Sequence, residues 1–192
     1  ELTASDASGN MMSCTFTVLL VDTIDPFVAE LNDITEDNGL DSCSAFVNIP
    51  IPDTSDNCGI INVENSYNGN GLNARDVYPV GSTEVIFTVT DAAGNVSTSS
   101  FVLTIEDAQD PNLSVPTDVT FNCIEEDTTF ATATDNCDTL PEITFSDDFD
   151  LDSCGLGTIT RTWTAMDMAG NSTSAFQTIT LQDTTAPQLN IP

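Results

Sequence analysis

Apolar and other residues alternate one by one along much of this chain. Val85, Phe87 and Val89 interleave with Ile86, Thr88 and Thr90, and after a short turn Phe101, Leu103 and Ile105 interleave with Val102 and Thr104. A period of two places each set on one face of a strand. Phe16, Val18 and Leu20 hold the matching positions near the start of the chain, and Ile179 and Leu181 those near its end. Ala45, Val47, Ile49 and Ile51 give a further alternating run. No useful length of sequence carries apolar residues at helical spacing. Short strands separated by Gly, Pro, Asn and Asp turns predict an all-β fold of the sandwich kind.

The turn between the strongest pair of strands recurs. It reads Asp6-Ala7-Ser8-Gly9-Asn10, then Asp91-Ala92-Ala93-Gly94-Asn95, then Asp167-Met168-Ala169-Gly170-Asn171, in two nearly equal steps. Each reads as a hairpin connection in which Gly supplies the positive φ. Two other landmarks keep the same register. Asp22-Thr23-Ile24-Asp25-Pro26, Asp107-Ala108-Gln109-Asp110-Pro111 and Asp183-Thr184-Thr185-Ala186-Pro187 repeat in the same two steps, and Asp56-Asn57-Cys58 returns once as Asp135-Asn136-Cys137. Three landmarks in one order at one period mean tandem copies of a small domain. The copies span 22–106 and 107–182. Residues 1–21 read as the C-terminal strands of a truncated repeat, and 183–192 as the start of another.

Charge narrows the function. The chain has 31 Asp and Glu against Arg75 and Arg161, with no Lys or His, for a net charge of −29. Without a basic surface it is no partner for nucleic acid or for an anionic membrane. No apolar run reaches the length of about 18 residues that spans a bilayer, so no direct membrane insertion is expected. So acidic a composition could mean disorder, but 40% of the residues are apolar and well patterned. The lack of His and Lys removes imidazole and Schiff-base chemistry. Carboxylate pairs of the glycosidase kind remain, yet the Asp and Asn residues sit on recurring turns with no unique cleft. The chain reads as a non-enzyme.

Tyr78-Pro79-Val80-Gly81-Ser82-Thr83-Glu84-Val85-Ile86-Phe87-Thr88-Val89-Thr90-Asp91-Ala92-Ala93-Gly94-Asn95 resembles the hyalin repeat (HYR) signature. The Asp-x-x-x-Pro start and the Asp-Asn-Cys loop also match. Copy 107–182 is similar to the variant, with Asp-Asn-Cys-Asp and Thr158-Ile159-Thr160-Arg161-Thr162-Trp163-Thr164-Ala165, of giant surface adhesins of gliding Bacteroidetes. The resemblance covers essentially the whole chain. It implies tandem immunoglobulin-like β-sandwich domains in an extended array, an extracellular, cell-surface location, and an adhesive or spacer role.

An immunoglobulin-like sandwich gives the landmarks a geometry. The B–C and F–G loops lie at the pole where the chain enters. Asp56, Asn57, Asp91 and Asn95 should therefore converge on the linker residues Asp22 and Asp25. The next copy offers Asp107, Asp110, Asp135, Asn136, Asp167 and Asn171. Carboxylates and amide oxygens without His or thiolate make a hard-cation site, best suited to Ca²⁺. The competing reading is turn chemistry in solvent, for which Asp and Asn are equally apt. Recurrence of Asp in the linkers favours the ion.

Six cysteines in such a chain suit an oxidising compartment. The interval from Cys43 to Cys58 nearly matches that from Cys123 to Cys137, and each ends on Asp-Asn-Cys. This placement predicts Cys43–Cys58 and Cys123–Cys137 disulfides. A straight strand over 44–51 would hold the first pair apart, so the chain must bend, as Pro50 and Pro52 permit. The resemblance implies that Cys14 pairs with a strand-A cysteine, at positions filled by Glu30 and Val115 in the other copies. Ser99 and Ala175 then replace Cys14 itself. Cys154 is left either free or competing for Cys137.

Arg161 alternates in phase with Trp163. It reads as an edge ion pair or as a cation over an aromatic ring, with Trp163 in the core. Thr23, Thr128, Thr139 and Thr184 follow Asp in a short motif that resembles the O-glycosylation signal of Bacteroidetes. The expected role is a stalk segment of a repetitive adhesin, stiffened by disulfides and inter-domain calcium, whose partners are neighbouring repeats. The alternative is a module that itself binds a surface carbohydrate or protein.

Overall fold

The computed structural model describes residues 1–122 and 129–189. The chain runs through β1 (Leu2–Ser5), β2 (Met11–Cys14), β3 (Phe27–Val28), β4 (Ile34–Asp37), β5 (Ser44–Val47), β6 (Thr54–Ser55), β7 (Ile60–Asn65) and β8 (Asp76–Pro79). There follow β9 (Gly81–Asp91), β10 (Val96–Glu106), β11 (Asn112–Ser114), β12 (Val119–Asn122), β13 (Thr132–Thr134), β14 (Glu142–Leu151), β15 (Gly157–Met166) and β16 (Ser172–Gln182). Every regular element among the described residues is a strand. Two compact units result: residues 1–31, 50–74 and 85–101, and residues 32–49, 75–84 and 102–192.

Copy 107–182 lies wholly in the second unit and shows the topology most plainly. β11 pairs antiparallel with β13, while β12 runs parallel to β16, in a sheet of order β12-β16-β15-β14. A first strand that begins in one sheet and finishes parallel to the last strand of the other is the edge arrangement of an immunoglobulin-like sandwich. β15 pairs with β16 from Gly157↔Leu181 to Met166↔Ser172, so Trp163, Ala165, Gln177 and Ile179 project to one face, and all four are buried. The period-two pattern fixes this register, because a slip of one residue would turn Trp163 and Ile179 to solvent.

The same pairings recur in copy 22–106. In the second unit β4 runs parallel to the end of β10 (Leu103↔Ile34 to Glu106↔Asp37), and β5 pairs antiparallel with β8. In the first unit β3 pairs with β6 and β7 with β9, Asn65 opposite Phe87. Val85, Phe87, Val89, Phe101, Leu103 and Ile105 are all buried, as their alternation requires. The run through Ala45 does not hold to its end. Val47 and Ile49 are buried, but Ile51 is 61% exposed between Pro50 and Pro52. Proline has no N–H for a ladder, so the strand stops there and resumes as β6.

Copy 22–106 is longer than copy 107–182, and the difference has a structural cause. In copy 22–106, β8 and its approach lie between β7 and β9. In copy 107–182, β14 turns straight into β15 through Asp152–Leu156, where Asp152 Oδ1 accepts from the amides of Cys154 (2.8 Å) and Leu156 (2.9 Å). Gly157 closes that hairpin at φ 144°, and a Cβ there would collide with the Asp150 carbonyl oxygen.

β1 and β2 form a hairpin from Leu2↔Cys14 to Ser5↔Met11. Phe16, Val18 and Leu20 follow it exposed, whereas their counterparts Phe101, Leu103 and Ile105 are core.

Candidate metal centres at the Asp-Asn loops

The three hairpin turns share one hydrogen-bond plan, set by the Asp-to-Asn spacing of four. Asp91 Oδ1 accepts from the amides of Ala93 and Asn95, both at 2.8 Å, and the Asn95 side chain donates Nδ2 to Asp91 Oδ2 at 2.7 Å. Asp6 receives the amides of Ser8 and Asn10 and the Asn10 side chain. Asp167 receives the amides of Gly170 and Asn171 and the Asn171 side chain. Burial raises the Asp91 carboxyl, but the Asn95 side chain and the turn amides together hold it below its ordinary value. The turn thereby favours the charged form of Asp91.

A second carboxylate comes from the loop ending in Asn-Cys. Asp56 Oδ2 accepts from the amides of Cys58 and Gly59, both at 2.7 Å, and Asp135 Oδ1 from those of Cys137 (2.9 Å) and Asp138 (2.8 Å). The linker supplies the third. Asp22 Oδ1 accepts from the Ile24 amide at 3.1 Å and from Asn57 Nδ2 at 3.3 Å. The Ile24 amide is the main influence that lowers the Asp22 carboxyl. Asp107 Oδ1 accepts from Asn38 Nδ2 at 2.8 Å and from the Gln109 amide at 3.3 Å.

The result is two triads, Asp22/Asp56/Asp91 and Asp107/Asp135/Asp167, each with one oxygen per residue within 4.8 Å of the others. The first triad lies in the first compact unit and the second in the second. Oxygens on opposite sides of one Ca²⁺ stand about 4.6–5.2 Å apart, twice the usual Ca–O distance, so each triad fits one coordination sphere. Asp22 Oδ2, Asp56 Oδ1 and Asp135 Oδ2 are buried and accept no hydrogen bond. A buried carboxylate oxygen without a donor is costly, and a hard cation would relieve it. The donor set of the triads fits calcium.

The other residues of the sequence-derived set take different places. Asn57, Asn95, Asn136 and Asn171 are in the loops but act as donors. Asn95 Nδ2 also reaches the Asp22 carbonyl (3.4 Å), and Asn171 Nδ2 the Asp107 carbonyl (3.0 Å), tying each hairpin to its linker. Asp25 and Asp110 are exposed and belong to neither triad. Thr23, Thr139 and Thr184 are exposed, and Thr128 lies outside the described residues. Asn38 and Gln109 carry no signal in the repeat. Gln109 stands where the first linker has Ile24, so recurrence could not select it.

The disulfide expected between Cys43 and Cys58 is not formed. Cys43 is bonded to Cys137, with Cα atoms 4.9 Å apart and a sequence separation of 94. Cys137 is therefore not the partner of Cys123, which lies outside the described residues. The reason is strand direction. β5 begins at the residue after Cys43, and its four extended residues carry the chain about 13 Å away, beyond disulfide reach. The loop of residues 38–44 instead meets the linker and Asn-Cys loop of the next copy. Gln109 Nε2 donates to the Gly39 carbonyl (2.6 Å), the Asp41 amide to Gln109 Oε1 (2.9 Å), and Asn136 Nδ2 to the Ser42 carbonyl (3.1 Å). Asp41 turns this loop at φ 53°. Cys14, Cys58 and Cys154 are free and exposed. Ser99, in the place of Cys14, donates its hydroxyl to the Ala29 carbonyl at 3.2 Å.

No family model matches the chain. It is 32% identical over 202 residues to Hyalin of Lytechinus variegatus, an alignment that covers 97% of this chain and 37% of that protein. This chain is built of hyalin-type repeats. Hyalin of Strongylocentrotus purpuratus is 31% identical over 200 residues, covering 97% of this chain and 16% of its own length. The hyalin-type repeats here thus span well under half of either curated relative. Among solved structures the chain is similar to human mucin-like protocadherin EC1-2 (TM-score 0.39, 11% identity, 82% of this chain and 98% of that one). Sidekick-1 immunoglobulin domains 1–4 give a TM-score of 0.43 at 11% identity, over 94% and 57% of the two chains.

Proposed function

We propose that these hyalin-type repeats are a stalk segment of a repetitive extracellular, cell-surface adhesin, in which each Asp triad takes one calcium ion. The buried carboxylate oxygens without donors carry the reading, two in the first triad and one in the second. Three clustered negative charges repel one another. A divalent ion would convert that repulsion into a link between linker, Asn-Cys loop and hairpin. The Cys43–Cys137 disulfide adds a covalent link at the second triad. The acidic surface would keep neighbouring stalks apart. The resemblance of copy 107–182 to adhesins of gliding Bacteroidetes makes a bacterial surface the proposed setting. There the exposed Thr23, Thr139 and Thr184 would be candidates for O-glycosylation.

Calcium should raise the melting temperature over that in excess chelator at matched ionic strength, with a Kd on the order of 10⁻⁴–10⁻³ M, as in other extracellular modules. Asp56→Asn with Asp135→Asn keeps the oxygen that receives the turn amides and removes one charge from each triad. That double variant should fold and lose the calcium response. Coincident melting curves for the parent in calcium and in chelator would exclude the reading.

A further inference from the structure

We propose that Cys58 is the receiving half of a second inter-repeat disulfide, closed by a Cys43-type cysteine on a repeat set ahead of copy 22–106. The inference rests on what the equivalent residue does in the same molecule. Cys58 and Cys137 end the same Asp-Asn-Cys loop, and their sulfurs are presented in the same way. Asn57 Nδ2 lies 3.3 Å from Cys58 Sγ, and Asn136 Nδ2 lies 3.2 Å from Cys137 Sγ. Asp56 and Asp135 brace the two loops through matching pairs of backbone amides. Cys137 is bonded to Cys43 of the preceding copy, while Cys58 is free and exposed.

A second observation concerns the surroundings of each sulfur. Cys137 lies in a pocket with Asp107, Met168 and Ala169, and Cys43 and Val80 line the same space. Cys58 opens on a groove of about 410 Å³ lined by the equivalent Asp22, Ala92 and Ala93. The groove lies entirely within the first compact unit. Asp22, Asn57 and Cys58 are in place, Ile24 stands where Gln109 holds the loop of residues 38–44 at the closed junction, and what the groove lacks is the donor loop. The chemistry of that loop follows from the closed junction. It carries a thiol, a preceding carbonyl to accept from Asn57 as Ser42 accepts from Asn136, and an amide side chain to reach Asp22 as Asn38 reaches Asp107.

Bond formation joins two sulfurs and releases two protons and two electrons. A small disulfide oxidant such as oxidised glutathione accepts them and leaves as two thiols. The proposal does not depend on calcium.

The test is a tandem duplication within the full chain, residues 1–106 followed by 22–192, which sets a Cys43 ahead of a Cys58 across a linker of natural sequence. After refolding with oxidised and reduced glutathione, the protein is denatured, alkylated with iodoacetamide and weighed intact. Chelator is present in one arm and calcium in the other. The expected number of alkylated thiols equals that of the parent in both arms, because the two added cysteines consume each other. Two additional alkylated thiols would overturn the proposal. Cys58→Ser in the second copy should free one thiol, and Cys58→Ser in the first copy should remove one. The opposite pattern would assign the bond to Cys43 and Cys58 of a single copy and overturn the proposal equally. A peptide linking Cys43 to Cys137, found in a proteolytic digest of the same alkylated, unreduced protein, reports that the duplicated chain has folded.

Discussion

Phe87 and Phe101 of the first copy stack with ring centroids 6.1 Å apart. At the equivalent positions the second copy has Trp163 and Gln177, and the Trp163 indole N–H donates to Gln177 Oε1 at 3.1 Å. Gln177 Nε2 donates in turn to the Thr117 carbonyl and the Thr129 hydroxyl, both at 3.3 Å. The two copies solve one packing problem in two ways, and each solution requires both partners. Gln177→Leu should cost about 1–3 kcal/mol by leaving the buried indole N–H unpaired. Trp163→Phe combined with Gln177→Phe restores the apolar pair and should cost less than the sum of the single changes, read from urea unfolding midpoints. Strict additivity would deny the coupling. Trp163 was legible as core because it alternates in phase with its neighbours. Gln177 was not, since its polarity disguises an inward position that only the indole makes tolerable.

At the scale of elements, β9 and β10 were readable because Val85, Phe87, Val89, Phe101, Leu103 and Ile105 fill successive inward positions with apolar side chains. β14 was harder to read, because Asp147 interrupts the sequence Ile143, Phe145, Phe149 on the face it shares with Trp163, where both phenylalanines are largely exposed. The structure explains the interruption. Asp147 stands opposite Arg161 in the β14–β15 ladder, and Arg161 donates Nε (2.7 Å) and Nη2 (2.9 Å) to its carboxylate. The guanidinium also lies 4.3 Å from the centre of the Phe145 ring and 5.6 Å from that of Trp163. Both expectations for Arg161, an ion pair and a cation over aromatic rings, are met in one side chain. The hydrogen bond from Arg161 holds the Asp147 carboxyl below its ordinary value, against burial. A depressed carboxyl stabilises the fold fully above the unfolded value of about 4, and the contribution is lost as pH falls through the lower folded value. Asp147→Asn should therefore lower stability at pH 7 by on the order of 1 kcal/mol. The difference from the parent should close as pH falls below about 4, and a difference independent of pH would mean that the charge contributes nothing.

For the molecule as a whole, recurrence in the sequence marked the loops that carry the triads but misassigned the disulfide. Spacing can pair cysteines along the chain. It cannot show that the loop of residues 38–44 meets the next copy through Gln109, whose identity is particular to one linker. The resulting bond spans a sequence separation of 94, a loop whose closure is worth about 4–5 kcal/mol in the chain-entropy model. It also determines where mechanical tension runs. When the chain is held by its two ends and pulled, load passes from Cys43 to Cys137 through the sulfurs, and residues 44–136 carry none of it. Those strands can open without lengthening the tether. In an optical trap the fully stretched chain should be about 300 Å shorter than the same chain in reductant, and an extension unchanged by reductant would rule out the bond. In the proposed stalk, such a crosslink would keep residues 44–136 from adding to the length under load.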